Sequence, residues 1–210
     1  MTLIFDFDGT IAQSLELMRQ AFNKFAPEFG LPLVTEQDFE MVRNHSTREL
    51  IQKYRVSPIT IARFSLKVRK EMATGIHSVQ VVTGLQEVLE ELVAGSHELG
   101  IITSNSQKNV EVFLQRNRLE EFSFLAAEYH LLGKANKLKK VLRQRNLSPQ
   151  KAVYIGDEVR DIDAAHGAGL RCISVTWGLN SSERLQKGNP DFLVHHPKEL
   201  LTVVKQLSSV

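Results

Sequence analysis

The sequence predicts an α/β protein, a parallel sheet covered by helices, with an all-helical segment inserted after the first strand. Three observations predict it. Short β-like runs alternate with amphipathic helical stretches through the later chain, residues 14–81 carry helical periodicity alone, and polar residues cluster just behind the β-like runs, where parallel sheets bind ligands.

The first run, LIFDF (3–7), is short and apolar. Strand side chains alternate between faces, so Leu3, Phe5 and Phe7 share one side while Ile4, Asp6 and Asp8 share the other. Four helical patterns follow: SLELMRQAFNKF (14–25), TEQDFEMVRNH (35–45), STRELIQKY (46–54) and SPITIARFSLKVRKEMATG (57–75). Pro27, Gly30 and Pro32 separate the first two, and Ser57-Pro58 reads as an N-cap followed by proline at the first helical position. The α/β texture resumes at VVTGLQEVLEELVAGSHELGIITSN, and the later β-like runs are LGIITS, KAVYIGD, RCISVTW and DFLV. The expected division is a core domain of residues 1–13 and 82–210 and a helical domain of residues 14–81.

Composition narrows the function classes. Apolar residues make up 42% and charged residues 24%, as in an ordinary soluble domain, and a net charge of +2 gives no field that calls for nucleic acid or an anionic membrane. No stretch approaches the roughly 20 apolar residues of a membrane helix, and the N-terminus lacks a signal-peptide pattern, so a cytoplasmic location is expected. The single cysteine, Cys172, lies in an apolar run and reads as a small buried hydrophobe.

The chemistry sits behind the strands. Two carboxylates sharing one strand face repel unless a cation holds them or one pKa rises, which a purely structural sequence has little reason to choose. Asp6, Asp8, Gly9 and Thr10 follow the first run, Thr103, Ser104 and Asn105 follow LGII, Asp157 and Asp161 follow AVYIG, and Lys134 lies in LLGKANKLKK. Carboxylates, one ammonium and a set of hydroxyl and amide donors suit a hard divalent cation beside a phosphate.

In this order, Asp6-Phe7-Asp8-Gly9-Thr10, Thr103, Lys134 and Gly156-Asp157 with Asp161 resemble the four motifs of the haloacid dehalogenase superfamily of phosphatases, and the layout is similar to its phosphoglycolate phosphatase branch. The resemblance spans nearly the whole chain and implies a Rossmann-like core with residues 14–81 as a helical cap. It implies that Asp6 is the nucleophile, forming an aspartyl-phosphate, and that Asp8 is the acid and base. It implies Mg2+ bound by Asp6, the Asp8 carbonyl and Asp157, with Asp161 orienting the metal's waters. Phosphate is expected on Gly9, Thr10, Thr103, Ser104, Asn105 and Lys134. The substrate expected is a small phosphorylated metabolite, a phosphoglycolate-like ester or a sugar phosphate. A phosphomutase and a silent phosphate-binding protein remain as alternatives.

The sequence departs from the family pattern at Ala135, where a proline often follows the lysine, and this leaves Lys137 open beside Lys134. Ser104 likewise stays open beside Thr103. Arg43, His45 and Arg48 in the helical segment are candidate substrate contacts, with ordinary exposed helix-end residues as the other reading. His195 and His196 carry no metal-ligand spacing and read as surface residues.

Overall fold

A computed structural model describes residues 1–45, 47–127 and 133–208, without the side chains of Thr47 and Arg48. Six parallel strands form one sheet: β1 (Thr2–Phe5), β2 (Glu98–Thr103), β3 (Phe122–Ala127), β4 (Ala152–Gly156), β5 (Arg171–Val175) and β6 (Phe192–Val194). Their order is β3-β2-β1-β4-β5-β6. The direction of winding therefore reverses between β1 and β4, and the strand ends on either side of such a switch leave a crevice.

Between β1 and the rest of the sheet lie α1 (Leu15–Phe25), α2 (Glu36–Arg43), α3 (Thr47–Lys53) and α4 (Pro58–Gly75). The Ser57-Pro58 signal acts as read, and a second cap stands at Thr35. Thr35 and Asp38 form a reciprocal capping box at α2, and the Ser57 hydroxyl accepts from the Thr60 amide at α4 with Pro58 behind it. Phe64 packs edge-on against Phe22 and Phe29, with ring centroids 5.0 and 5.3 Å apart, tying α4 to the start of the insertion. The insertion leaves and re-enters at one point, where Ala12 bridges Val81 and the Gln13 amide donates to the Gln80 carbonyl at 2.9 Å.

Behind the sheet come α5 (Leu85–Ala94), α6 (Gln107–Asn117), α7 (Lys134–Gln144), α8 (Val159–Gly167), α9 (Ser182–Lys187) and α10 (Glu199–Ser208). The alternation of β1 divides the core in two. Leu3, Phe5 and Phe7 pack with Leu85, Leu89 and Phe113, while Ile4 packs with Leu138, Tyr154 and Ile162 on the other face. Among the described residues no helix is long and apolar enough to cross a membrane.

The sequence shows five β-like runs; the sheet has a sixth strand, β3. It is an edge strand with intermediate or exposed positions throughout, so it has no buried apolar run to mark it. Its partner β2 carries Gly100, whose missing side chain makes room for Phe124: a Cβ there would lie 2.0 Å from the ring. Gly100→Ala should therefore destabilise the fold by about 1–3 kcal/mol through overpacking, and Phe124→Leu in the same chain should recover part of the loss. Denaturant unfolding of the two variants checks this; equal stability of Gly100→Ala and wild type would place the ring elsewhere.

Candidate active site

The site starts from how β1 ends. Asp6 continues the strand direction, its amide donating to the Ile155 carbonyl at 2.8 Å, and the chain then coils so that the Ile11 and Ala12 amides donate to the Phe7 carbonyl at 2.9 and 3.0 Å. That reversal needs a left-handed residue, and Gly9 has φ +76°. It also needs an absent side chain, because a Gly9 Cβ would lie 2.3 Å from Asp157 Oδ2.

Three buried carboxylates converge here: Asp6, Asp157 and Asp161 each offer an oxygen within 4.8 Å of the others. The Lys134 ammonium, at the first position of α7, donates to Asp6 Oδ2 at 2.8 Å and to Asp161 Oδ1. Asp157 accepts from the Thr10 hydroxyl and from the Leu179 amide, both at 2.7 Å. Asp161 folds back on its own helix start, accepting from the Asp157 and Glu158 amides at 3.1 and 3.0 Å. Burial pushes the Asp6 carboxyl up against the pull of Lys134, and burial with the neighbouring Asp161 charge pushes Asp157 well above the usual carboxylate range. Burial also opposes the Lys134 charge, but Asp161 and Asp6 outweigh it and hold the ammonium well above the usual lysine value. Three carboxyl groups share one ammonium, and hard oxygen donors at this spacing could hold one divalent cation.

Asp8 stands apart from that cluster. Its carboxylate accepts from the Ser14 hydroxyl at 2.8 Å and from the Asn105 side-chain amide at 2.9 Å, and burial pushes its pKa up to about 6. Asp8 thus holds a proton more readily than an exposed aspartate. Asp6 and Asp8, with Ser104 and Asn105, form the floor of a cavity of about 410 Å³, and its walls are side chains of the insertion such as Phe22, Phe39, Ile51, Phe64 and Met72.

Of the two lysines left open by sequence, Lys134 reaches the carboxylates while Lys137 donates to the Thr103 main-chain carbonyl at 2.9 Å. The Thr103 hydroxyl accepts from the Asn105 amide at 3.0 Å, while Ser104 lines the cavity. The hydroxyl of Thr10, a residue expected at the phosphate, donates to Asp157. Arg43, expected to read substrate, spends its guanidinium on the Leu179 and Thr176 carbonyls, both at 3.2 Å, because the end of α2 docks on the loop after β5. His45 Nδ1 lies 2.7 Å from the Met41 carbonyl of its own helix end. The Arg48 side chain lies outside the described residues. Sequence reasoning passed over Glu158 and Arg160, which form an ion pair and line the cavity; their position directly behind a β-like run was the available signal.

Residues 3–175 match the haloacid dehalogenase-like hydrolase family. The chain belongs to the haloacid dehalogenase-like hydrolases. Among these hydrolases it is 36% identical over 206 residues to a phosphoglycolate phosphatase of Synechococcus elongatus, covering 98% of this chain and 97% of that one. It is 25% identical over 223 residues to the pyrophosphatase PpaX of Bacillus thuringiensis, covering 99% and 97%. Its fold superposes on a predicted phosphatase from Clostridium acetobutylicum with a TM-score of 0.85 at 20% identity, covering 98% of each chain. It also superposes on CbbY of Rhodobacter sphaeroides with a TM-score of 0.72 at 24% identity, covering 95% of each. Within the family the chain is a hydrolase of the phosphatase kind.

Lys134 is the internal counter-charge of the cluster, so its loss should be felt in stability before any chemistry. Lys134→Met should lower the stability of the cation-free protein at pH 8 by about 3 kcal/mol, the scale for a buried carboxylate stripped of its partner. The deficit should shrink as pH falls and Asp6 takes up a proton. Thermal unfolding at pH 8 and pH 5 measures both; a variant as stable as wild type at pH 8 would show that the carboxylates do not depend on this ammonium.

Proposed function

We propose that this hydrolase cleaves a small phosphate monoester with magnesium, through an aspartyl-phosphate on Asp6, and that phosphoglycolate or an ester like it is the substrate. The observation that carries the proposal is the pair at the end of β1. Asp6 is buried against an ammonium, whereas Asp8, two residues on, faces the same cavity with a pKa of about 6. Burial raises both carboxyls, but an ammonium bonded to Asp6 favours its ionised form while neutral donors alone bond Asp8, a difference that suits one for attack and the other for proton transfer.

In this reading an Asp6 carboxylate oxygen attacks phosphorus, the phosphorus–ester oxygen bond breaks, and the leaving alkoxide takes the proton of Asp8. Asp8, now ionised, accepts a proton from a water that attacks the acyl phosphate, releasing phosphate and restoring Asp6. The Ser14 and Asn105 donors fix the Asp8 carboxyl through both steps. Magnesium, held by Asp6, Asp157 and the Asp8 carbonyl with Asp161 ordering its waters, would supply the positive charge that lets an anionic nucleophile meet an anionic phosphate. Lys134 adds charge beside the nucleophile, and Ser104 and Asn105 offer donors to the phosphate from the cavity floor. Residues 14–81, proposed as a cap, close the cavity over the strand ends, which limits the substrate to a small ester and keeps water out. The full-length likeness to a phosphoglycolate phosphatase supports the substrate proposed.

Chelation should abolish release of phosphate from phosphoglycolate, magnesium should restore it, and Asp6→Asn should lower turnover by several orders of magnitude, as loss of a nucleophile does. Full turnover after exhaustive chelation, or near wild-type turnover of Asp6→Asn, rejects the mechanism.

The pH dependence tests Asp8 separately. Attack needs Asp8 protonated in the free enzyme, so kcat/KM should fall as pH rises through about 6. The Ser14 hydroxyl favours the ionised form of Asp8, so Ser14→Ala should raise its pKa and move that limb to higher pH. Comparing the two enzymes on one ester cancels the ester's own ionisation; an unmoved limb, or one moved to lower pH, removes Asp8 as the acid.

A further inference from the structure

The loop after β5 touches both the Asp157 side of the site and the helical insertion. On its core side the Leu179 amide donates to Asp157 Oδ2 at 2.7 Å, the Asn180 amide to the Asp157 carbonyl at 3.1 Å, and the Trp177 indole to the Thr10 carbonyl at 3.1 Å. Gly178 is pressed so closely on Asp157 that a Cβ would lie 2.2 Å from the Asp157 Cβ. On its other side the same loop receives the insertion. Arg43 donates to the Leu179 and Thr176 carbonyls, the Ser181 amide donates back to the Arg43 carbonyl at 3.1 Å, and the Ser181 hydroxyl donates to Asn44 Oδ1 at 2.6 Å. Leu179 is therefore held through its carbonyl by the insertion while its amide holds the Asp157 carboxylate.

Asn180 joins the two sides in one side chain, and it is buried. Its Oδ1 accepts from the Val159 amide at 2.9 Å, at the first position of α8 two residues beyond Asp157. Its Nδ2 donates to the Arg43 and His45 carbonyls at 3.1 and 3.3 Å, at the end of α2. An amide that accepts with one atom and donates with the other suits this bridge; neither a hydroxyl nor a carboxylate has that reach and polarity.

We propose that the 176–181 loop couples docking of the helical insertion to the order of the Asp157 carboxylate, with Asn180 and Arg43 as positioning residues, so that a divalent cation at Asp157 and the docked insertion strengthen each other. The proposal rests on the reading that Asp157 holds a divalent cation. It gives Arg43 a role other than substrate contact. The coupling is reciprocal: whatever the insertion contributes to cation affinity, the cation must contribute to docking.

Two binding readouts test it without turnover. Magnesium titrated calorimetrically into the whole protein should bind about five- to tenfold more weakly in Arg43→Ala and Asn180→Ala, a usual size for coupling between sites. Arg145→Ala, which removes the 3.1 Å ion pair to Glu98 within the core, away from both the loop and the insertion, should stay within about twofold of wild type. In hydrogen exchange, magnesium should slow the amides of residues 40–45 in wild type and leave them unchanged in Asn180→Ala. Arg43 is partly exposed, so its variant tests the idea even if Asn180→Ala fails to fold. Wild-type magnesium affinity in folded Arg43→Ala, or equal weakening in all three variants, overturns the coupling. Failure of wild type to bind magnesium at all overturns the cation reading beneath it as well.

Discussion

The structure depends on keeping like charges together out of water. Asp6, Asp157 and Asp161 are buried at the ends of β1 and β4, and without neutralisation such a cluster would cost more than a domain's net stability. Lys134 supplies one ammonium, and the main-chain amides of Asp157, Glu158 and Leu179 supply oriented dipoles. These are bound donors, fixed by the sheet and the start of α8, so no reorganisation is needed when charge moves in the site. The position follows from topology: the winding reverses between β1 and β4, and only there do two strand ends open onto a crevice.

Close approach to the cluster explains the glycines around it. Gly9, Gly156 and Gly178 each lie where a Cβ would come within 2.4 Å of an Asp157 or Asp161 atom, so the chain can wrap the carboxylates on three sides only by giving up side chains. Wrapping of that kind lowers the local dielectric, which raises the Asp157 pKa and strengthens each hydrogen bond aimed at its carboxyl.

Much of this was legible in sequence because it is local. The strand with alternating faces, the cap at Ser57, and the place of each polar cluster behind a β-like run depend on neighbours a few residues away. The contacts that define the site are not local. Thr10 reaches Asp157, Lys134 reaches Asp6 and Arg43 reaches Leu179, across separations that periodicity does not encode. Neither the Thr10 bond nor the Arg43 bonds can be expected from sequence, since a hydroxyl or guanidinium open to a ligand and one bound to its own protein read alike there. Strand β3 was missed for a related reason: its pairing with β2 is supplied by Phe124 filling the space over Gly100, a fit visible only once the two are adjacent.

The cavity divides labour by polarity. Its floor is charged and comes from strand ends, where backbone geometry is fixed by five parallel pairings; its walls are apolar and come from helices joined by short loops. Charges need positional accuracy because their energy changes steeply with distance, whereas apolar contacts tolerate repacking and mainly exclude water. In the reaction proposed, phosphoryl chemistry would fall to the rigid part and recognition of the rest of the substrate to the repackable part, so that the two could vary separately. The 176–181 loop is where the two parts meet, since one of its peptide units faces Asp157 with its N–H while the next peptide unit offers its carbonyl to the insertion. Leu179 and Asn180 are thus common to the rigid floor and the adjustable wall, and the proposed coupling would run through these two residues.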